Sequence, residues 1–278
     1  MESQPHNRYK RAVAEMFDDR TGYSRSEIHS RLAERVVRLG APQPNERVLD
    51  IATGTGFVAV PAARLVGERG TVLGVDISAV MLERAREAVA AAGVSNVKLV
   101  QADAEKLDYP AGSFDVIFCC NALPYMSDVP AALRRWQMLL RPGGRLAFNC
   151  WSELSYATGH LLRVIAARHG IRVGVVGRET GTPERCRSIL DGAGFVRSEV
   201  MAEPTANYFT VNLLEAAWEL AMKNPLYGMT LGDVSRLTEL RDEYMAEARS
   251  ASVWKDIDAE VGAYFVLAHK APSLPSSY

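Results

Sequence analysis

The sequence predicts a doubly wound α/β fold, in which helices cover both faces of a mostly parallel sheet. From residue 46 onward, short apolar runs such as RVLDIA (47–52) and TVLGVDI (71–77) alternate with segments of helical periodicity. The connections are short, so we expect parallel strands joined by right-handed crossovers. The run SFDVIFCCNAL (113–123) is apolar over most of its length, which is typical of a strand covered on both faces.

The predicted helices carry their own start and stop signals. The helix at 57–66 contains Pro61, which fits only if that proline lies near the first turn. The helix at 78–93 begins at a capping serine, Ser78, and its last residue is a glycine. The helix at 129–144 is amphipathic and is ended by a Pro-Gly-Gly sequence.

Further elements continue the alternation to the end of the chain. The other predicted strands lie at 96–103, 145–151, 197–210 and 259–270, and a short helix lies at 183–195.

The chain divides into a helical N-terminal segment (1–45), a sheet domain (46–270) and a loose tail (271–278). The sheet domain contains two largely helical inserts, at about 153–181 and 211–257. We expect these inserts to form a cap over the carboxyl edge of the sheet, where open α/β sheets bind ligands. The alternative is that they serve only packing or oligomerisation.

The composition is that of an ordinary globular protein, with 278 residues, 48% hydrophobic residues and a net charge of −1. The neutral charge balance argues against a nucleic-acid partner, and the apolar runs are too short to span a membrane. The first residues show no apolar secretory signal. The four cysteines lack the spacing of zinc ligands and are typical of buried thiols, so we expect a cytoplasmic protein without a metal site.

The loop that follows the first predicted strand, ATGTG (52–56), alternates small residues with glycine and indicates close approach to a ligand. A nucleotide P-loop is excluded, because Gly56 is followed by Phe57 rather than by lysine. A dinucleotide site stays open on the loop alone, because Ala59 is a permitted variant of the last glycine in that motif. Asp76, twenty residues after Gly56, could hold ribose hydroxyls in either kind of cofactor.

Three carboxylates help to decide between a dinucleotide and another kind of cofactor. Asp50, Asp76 and Asp103 end three successive predicted strands, so they are expected at one edge of the sheet. A carboxylate at Asp50 would repel a pyrophosphate but would suit a ligand with an amino group and a positively charged sulfur. Asp103 could accept a hydrogen bond from an adenine amino group. The acids therefore favour a sulfonium cofactor over a nicotinamide dinucleotide.

Four motifs in order resemble the class I S-adenosylmethionine-dependent methyltransferases: VLDIATGTG, VLGVDIS, VKLVQADAEKLDYPAGSFDVIFCCNALPYM and LRRWQMLLRPGGRLAF. The resemblance covers roughly residues 45–152 and is greatest to UbiE-type small-molecule methyltransferases of quinone, sterol and natural-product pathways. It implies a Rossmann-like, seven-stranded, mostly parallel sheet with helical cap inserts, and S-adenosyl-L-methionine as cofactor.

The resemblance also implies a role for each matching residue. Asp50 would lie close to the methionine part, Asp76 would hold the ribose hydroxyls and Asp103 would bind the adenine amino group. Near the methionine part, the resemblance places the backbone of Gly54 and Gly56, with Ala52 where the family usually has its first glycine. The main chain of Asn121 would contact the methionine amine. At the adenine ring, Ile77 would pack on its face and the Ala104 amide would donate to it.

Methyl transfer requires alignment of the acceptor, exclusion of water and, for a protonated acceptor, a base. Tyr23 precedes the first strand, where related enzymes place an aromatic segment over the cofactor, and we expect it near the methionine carboxylate or the acceptor. His160, in the first insert, is the candidate base because histidine titrates in the useful pH range. Four aromatic residues are candidate contacts of a hydrophobic acceptor: Tyr125, Trp151, Tyr208 and Phe209.

We therefore expect methyl transfer to a small, largely hydrophobic acceptor, such as a terpenoid, prenylated, quinone or indole-type metabolite. The resemblance favours carbon as the methylated atom. An O- or N-methyltransferase of an aromatic natural product, a non-methylating enzyme that binds S-adenosylmethionine, and an NAD-dependent oxidoreductase are the alternatives. We expect neither a nucleic acid nor a membrane as partner, and the N-terminal helix or the cap would provide the contact of a homo-oligomer.

Overall fold

A computed structural model describes the sheet and the helices that cover it. The described residues are 4–152, 157–174, 177–204, 218–219, 222, 225, 235–250 and 262–273. The strands are β1 (Arg47–Ile51), β2 (Thr71–Asp76), β3 (Val97–Gln101), β4 (Phe114–Cys119), β5 (Leu140–Trp151), β6 (Phe195–Pro204) and β7 (Gly262–Lys270).

These strands form a seven-stranded sheet in the order β3-β2-β1-β4-β5-β7-β6. Strands β1 to β5 pair in parallel, and β7 runs antiparallel to both of its neighbours, β5 and β6. The chain order reverses between β1 and β4, which makes a switch point where the following loops diverge and leave room for a ligand. The structure confirms the predicted doubly wound, mostly parallel α/β fold.

Helices cover both faces of this sheet. The helices among the described residues are α1 (Gln4–Asp18), α2 (Glu27–Gly40), α3 (Ala59–Val66), α4 (Ala79–Ala92), α5 (Val129–Leu139), α6 (Ala157–Arg168), α7 (Pro183–Gly192) and α8 (Ser235–Ala248), with short 3-10 turns at Tyr23–Arg25 and Leu123–Tyr125. Those packed on the sheet are α2 to α5 and α7.

Alternating side chains of the strands build two separate apolar layers, as the period of a strand requires. Val48 and Phe118 pack with α2 and α3 on one face, whereas Leu49 and Ile117 pack with α5 and α7 on the other. The helix α2 comes very close to the sheet at Gly40, where a Cβ atom would lie 2.3 Å from the ring of Phe118. Any larger residue at this position would push α2 away from the sheet.

The predicted helix signals are confirmed at both ends of α4. The Ser78 hydroxyl accepts a hydrogen bond from the Met81 amide at 2.9 Å, which satisfies one of the unpaired amides of the first turn. Gly93 ends the helix with a positive φ of 66°, a conformation that glycine adopts without strain. Pro61 lies in the first turn of α3, where a missing amide proton costs no helical hydrogen bond.

Several predicted boundaries were wrong. The helix α5 ends at Leu139, not at 144, because the Pro-Gly-Gly sequence already belongs to β5. Leu140 pairs with Phe114, and the register then shifts before Arg145 pairs with Val116, so the proline and glycines occupy an irregularity that tolerates them.

Other elements also differ from their predicted bounds: α3 begins at 59 rather than 57, β3 covers 97–101 rather than 96–103, and β4 ends at 119 rather than 123. The helix α7 ends at residue 192 rather than 195, and β6 begins at 195 rather than 197. The described part of β7 begins at 262, whereas the prediction was 259; residues 205–210, predicted as strand, lie outside the described residues.

The described parts of the two inserts pack on each other. Leu162 and Ile165 of α6 meet Leu240 and Tyr244 of α8, together with Trp218, in an apolar cluster separate from those of the sheet. This contact agrees with a common helical unit, and its place over the carboxyl edge stays a prediction. Within the described part of the chain, none of the helices combines the length and the apolar character needed to cross a bilayer.

Candidate active site

Two neighbouring cavities lie at the carboxyl ends of the strands around the switch point. The larger, of about 660 Å³, is called the main cavity and is lined by α1 and by the loops after β1, β2, β3 and β4. The smaller, of about 300 Å³, is called the side cavity and lies between α2 and the loop after β1. Five residues line both: Tyr23, Ala52, Gly54, Cys120 and Asn121. The shared walls suit one extended ligand that reaches from one cavity into the other.

The glycine-rich loop after β1 forms the shared wall. Its backbone has positive φ at Ala52 (52°), Gly54 (55°) and Gly56 (87°). Gly54 lines both cavities, whereas Gly56 lines neither of them and faces α4, where a Cβ atom would lie 3.7 Å from that of Ala85. The structure therefore brings Ala52 and Gly54 to the cavities and places Gly56 at the contact between the loop and a helix.

Asp76 ends β2 and is held by two backbone amides. Its Oδ2 accepts from the Gly54 amide at 2.8 Å, and its Oδ1 accepts from the Ser78 amide at 2.9 Å. Burial raises the pKa of this carboxyl, and the amide hydrogen bonds partly oppose the rise. Asp76 lines the main cavity, so one carboxylate both shapes the glycine loop and faces the ligand space.

Asp50 is deeply buried beneath the same loop and lines the side cavity. Its Oδ2 accepts a hydrogen bond from the Thr53 hydroxyl at 2.6 Å. Burial, reinforced by the nearby Asp76, raises the pKa of Asp50 to about 7, although the hydrogen bond from Thr53 opposes the rise. The carboxyl is thus poised to ionise, and an incoming cation would favour its charged form.

Asp103 lines the main cavity, but it already has a cationic partner that sequence reasoning missed. Lys10 of α1 places its Nζ 3.3 Å from Asp103 Oδ1 and also contacts the carboxylate of Glu105. Although burial opposes it, hydrogen bonds from Lys10, Ser127 and Asp128 lower the pKa of Glu105. A lysine in an amphipathic N-terminal helix is usually solvated, so no local signal could have identified this one.

We expect Lys10→Met to destabilise the protein. The substitution keeps the length of the side chain but leaves Glu105 without its cation and Asp103 with Lys106 alone, at 3.5 Å, which should cost roughly 2–4 kcal/mol. Thermal unfolding at neutral pH should show a Tm lower by several degrees, and hydrogen exchange should be faster in α1. Lys98→Met, at an exposed position of β3, is the matched control and should leave Tm unchanged. An unaltered Tm in Lys10→Met would refute the structural role of the pair.

Asn121 follows β4 and lines both cavities. Its backbone has a positive φ of 55°, and its amide donates to Asn149 Oδ1 at 2.9 Å. Asn149 Nδ2 donates back to Asn121 Oδ1 at 2.6 Å. The fully buried Asn149 therefore holds the turn at the cavity wall. An asparagine in an otherwise apolar strand was the signal that could have revealed it.

Tyr23 lies at the junction of the two cavities, as its predicted position over the site requires. Its ring packs edge-on against Phe17 and lies 4.3 Å, centroid to centroid, from the ring of His29. Burial, together with the nearby Cys120, raises the pKa of Tyr23 well above its ordinary value. The phenol is therefore uncharged at neutral pH and can act as a hydrogen-bond donor.

Of the other predicted site residues, some line the main cavity and one lies away from both cavities. Ile77, Ala104 and Tyr125 line the main cavity together with Asp103 and Asp76. Trp151, in contrast, ends β5 and packs against the apolar layer that contains α2, so it lines neither cavity.

Three further predictions cannot be placed by side chain. His160 belongs to α6, and its side chain lies outside what the structure describes. Tyr208 and Phe209 lie outside the described residues altogether. The cofactor candidates are thus largely brought together, whereas of the two acceptor candidates that the structure describes, Tyr125 lines a cavity and Trp151 does not.

Comparison with known proteins agrees with this geometry. A family model described as a methyltransferase domain matches residues 48–144, the part of the chain that carries β1 to β4 and the cavity loops. The chain is 30% identical to nocamycin O-methyltransferase from Saccharothrix syringae over 214 residues, which cover 68% of this chain and 76% of that protein.

Two further relatives match shorter parts of the chain. Aklanonic acid methyltransferase DauC from Streptomyces sp. strain C5 is 38% identical over 147 residues, which cover 51% of this chain and 66% of that protein. The ubiquinone/menaquinone biosynthesis C-methyltransferase UbiE from Azotobacter vinelandii is 39% identical over 164 residues, which cover 56% of this chain and 65% of UbiE. The chain thus spans just under two thirds of the length of these two relatives.

Among solved structures, the [4+2]-cyclase SpnF is similar with a TM-score of 0.59 at 20% identity, covering 88% of this chain and 81% of that one. At this identity the likeness concerns the fold. A similar fold therefore occurs in a protein described as a cyclase, and the methyltransferase assignment depends on the sequence relatives rather than on the fold.

Proposed function

Because this chain belongs to the family of S-adenosylmethionine-dependent methyltransferases, we propose that it transfers the cofactor's methyl group to a small, largely hydrophobic acceptor. The observation that supports this most directly is the pair of joined cavities, each with a buried strand-end carboxylate, Asp76 in the main cavity and Asp50 in the side cavity. A cofactor with a ribose, a sulfonium and an ammonium group matches that distribution of negative charge.

In this proposal the main cavity takes the adenosine part. Ile77 and Ala104 flank the adenine ring, and Asp103 accepts from its amino group while keeping its ion pair with Lys10. Asp76 accepts from the ribose hydroxyls at the centre. The apolar character of the flanking side chains suits a flat heteroaromatic ring, and the carboxylates supply the orientation.

The methionine part would then extend past Gly54 into the side cavity. Asp50 pairs with the ammonium group there, and the backbone at Asn121 contributes a second contact. The sulfur lies at the junction, where Tyr23 and Cys120 form part of the shared wall. The raised pKa of Cys120, which burial causes, keeps its thiol protonated, so it does not compete for the methyl group.

Bound S-adenosylmethionine supplies a methyl group already activated by its positively charged sulfur. The protein's task is to align the acceptor with the methyl–sulfur bond, keep water out and receive a proton where the acceptor carries one. Phe17 and Tyr23 cover the main cavity and would exclude water. His160 is our candidate for the proton acceptor, and Tyr125, Tyr208 and Phe209 are the candidates for acceptor contacts.

We propose carbon as the methylated atom, with O- or N-methylation as the alternatives. The relatives include one protein described as a C-methyltransferase and another described as an O-methyltransferase, so their names support both chemistries. An apolar terpenoid, prenylated, quinone or indole-type compound would suit the aromatic candidates.

We also propose that the enzyme works in the cytoplasm without a nucleic-acid or membrane partner. Its four cysteines are free thiols, which a reducing compartment preserves. Contacts through α1 or the inserts are our proposal for a homo-oligomer, and sedimentation of the purified chain would test it.

The function is tested by binding and by transfer. Calorimetry should show binding of S-adenosylmethionine and S-adenosylhomocysteine but not of NAD, and tight binding of NAD alone would overturn the proposal. An assay with labelled methyl groups on quinone, terpenoid and indole acceptors should then show incorporation. Binding of the cofactor without transfer to any of these acceptors would favour a non-methylating enzyme.

We expect His160→Ala to reduce turnover about a hundredfold or more with the true acceptor, because a positioned base contributes about that much to proton transfer. Affinity for S-adenosylmethionine should stay unchanged. His169→Ala is the matched control, since His169 pairs with Glu243 at 2.6 Å at the C-terminal side of α6. Full turnover in His160→Ala would disprove its role as the base.

A further inference from the structure

The side cavity contains a histidine that neither the sequence motifs nor the proposed function uses. His29 lies in the first turn of α2 and lines this cavity together with Asp50 and Thr53. Its neighbours in the cavity wall are otherwise mostly small or apolar, such as Ala33 and Val58. An imidazole held in this setting is a candidate ligand contact.

The ring of His29 is fixed on two sides. Its Nδ1 lies 2.6 Å from the Ser26 hydroxyl oxygen, and its plane packs against Tyr23 at 4.3 Å between centroids. When the Ser26 hydroxyl donates to Nδ1, the ring proton resides on Nε2. His29 then presents one N–H donor whose direction is set by its neighbours rather than by rotation in solvent.

The imidazole is uncharged before a ligand arrives. Burial, with a further contribution from the nearby Arg20, lowers the pKa of His29 to about 4. Tyr23 and Asp50 are the other titratable groups that share the cavity with it, along with the thiol of Cys120. At neutral pH the side cavity therefore holds a neutral donor at His29 and an ionisable acceptor at Asp50.

The methionine end of the cofactor carries both an ammonium and a carboxylate. Asp50 suits the ammonium, but it would repel the adjacent carboxylate unless a donor faces that group. The Thr53 hydroxyl already donates to Asp50, and the Gly54 amide already donates to Asp76. Among the described side chains of the cavity wall, His29, Tyr23, Asn121 and the thiol of Cys120 can still donate. Asn121 Nδ2 already points to Cys120 Sγ at 3.5 Å, and a thiol is a weak donor, so the two rings are the stronger candidates for the carboxylate.

We infer that His29 binds the carboxylate of the cofactor through its Nε2–H and so positions the methionine end opposite Asp50. This inference rests on the proposed placement of the methionine part in the side cavity. Ser26 acts as a positioning residue, because its hydrogen bond to Nδ1 selects the tautomer that donates. The pairing of an acceptor for the ammonium with a donor for the carboxylate would distinguish the amino-acid tail from a simple amine.

Two ligands that differ only in the carboxylate test this directly. S-Adenosylhomocysteine and its decarboxylated analogue share the adenosine, the thioether and the amine. Calorimetry of wild-type protein should show tighter binding of the first ligand. His29→Ala should weaken its binding about ten- to a hundredfold, as expected for loss of a hydrogen bond to a charged group, and should leave the analogue's affinity within about threefold.

Two conservative variants sharpen the test. The amide nitrogen of glutamine can reach the position of Nε2, so His29→Gln should retain most of the affinity for S-adenosylhomocysteine. His29→Asn, which is too short, should behave like His29→Ala. Ser26→Ala should give a smaller loss in the same direction. Circular dichroism and Tm identify variants that are folded, and His169→Ala provides a histidine control outside the cavities.

The outcomes separate this inference from the proposed function. If wild-type protein binds neither ligand, the proposed function fails and the inference fails with it. If wild-type protein binds S-adenosylhomocysteine but His29→Ala weakens both ligands equally, the contact with the carboxylate is refuted while the function stands. Unchanged affinities combined with lost methyl transfer would also refute it and would assign His29 to the acceptor instead.

Discussion

Replacing Asp76 by alanine should lower the affinity for S-adenosylmethionine by about a hundredfold or more. The variant loses the acceptor for the ribose hydroxyls. It also leaves the amides of Gly54 and Ser78 without their partner, so the loop between the two cavities loses its anchor. Calorimetry with S-adenosylmethionine measures the effect.

A ligand-side control separates the ribose contact from the support of the loop. Wild-type protein should prefer S-adenosylhomocysteine over its 2′,3′-dideoxy analogue, and Asp76→Asn should reduce that preference while one amide bond to the loop is kept. Asp108→Ala, an exposed aspartate on the loop after β3, is the matched control and should bind normally. Retained affinity in a folded Asp76→Ala variant would refute the ribose role.

Replacing Asp50 by asparagine should stabilise the empty protein at alkaline pH and at the same time abolish cofactor binding. The pKa of Asp50 is raised by burial to about 7, so its neutral form favours the folded state. That contribution is complete below pH 4 and is lost as pH rises through about 7. At pH 8.5 the buried charge costs about 4 kcal/mol, which asparagine avoids.

Thermal unfolding at two pH values checks whether ionisation of Asp50 lowers the stability of the folded protein. Asp50→Asn should raise Tm by roughly 5 °C or more at pH 8.5 and by little at pH 4.5. Asp115→Asn is the control, for which we expect a change of Tm in the opposite direction. Burial raises the pKa of Asp115, but the hydrogen bonds from Arg47 and Arg141 outweigh burial and lower it. Its substitution should therefore lower Tm at pH 8.5. A lower Tm in Asp50→Asn at pH 8.5 would contradict the burial argument.

Cofactor binding should respond to the same carboxyl. An ammonium group pairs with ionised Asp50, so the affinity of wild-type protein for S-adenosylmethionine should increase between pH 6 and pH 8. In Asp50→Asn the affinity should be lost, because the ammonium would face a neutral amide in a buried site. A pH-independent affinity of the wild-type protein would show that Asp50 does not pair with the cofactor.

Much of the site followed from chain order, because parallel strands place their carboxyl ends at one edge of a sheet. That rule alone brought Asp50, Asp76 and Asp103 together. It could not reveal that Asp50 is uncharged over part of the physiological pH range, because its pKa depends on burial beneath the loop. Nor could it reveal that Gly56 serves the packing of α4 rather than a cavity wall, since both glycines of the loop have positive φ.

Two of the residues that were missed come from helices packed over the sheet edge, and a third comes from a neighbouring strand. Lys10 meets Asp103 because α1 lies across the main cavity, and His29 meets the side cavity because α2 begins beside it. Asn149 supports Asn121 from the neighbouring strand. Each of these contacts joins residues far apart in the chain, and no local pattern encodes the distance between them.

The sequence by itself determined the order and type of the elements, because hydrophobic periodicity and helix caps are local properties. It also determined the fold class and the family, because four motifs keep their spacing along the chain. Only the tertiary structure decided where α5 gives way to β5, which acids are charged, and which side chains face the two cavities. Those features depend on register, burial and helix packing, which arise only when distant segments meet.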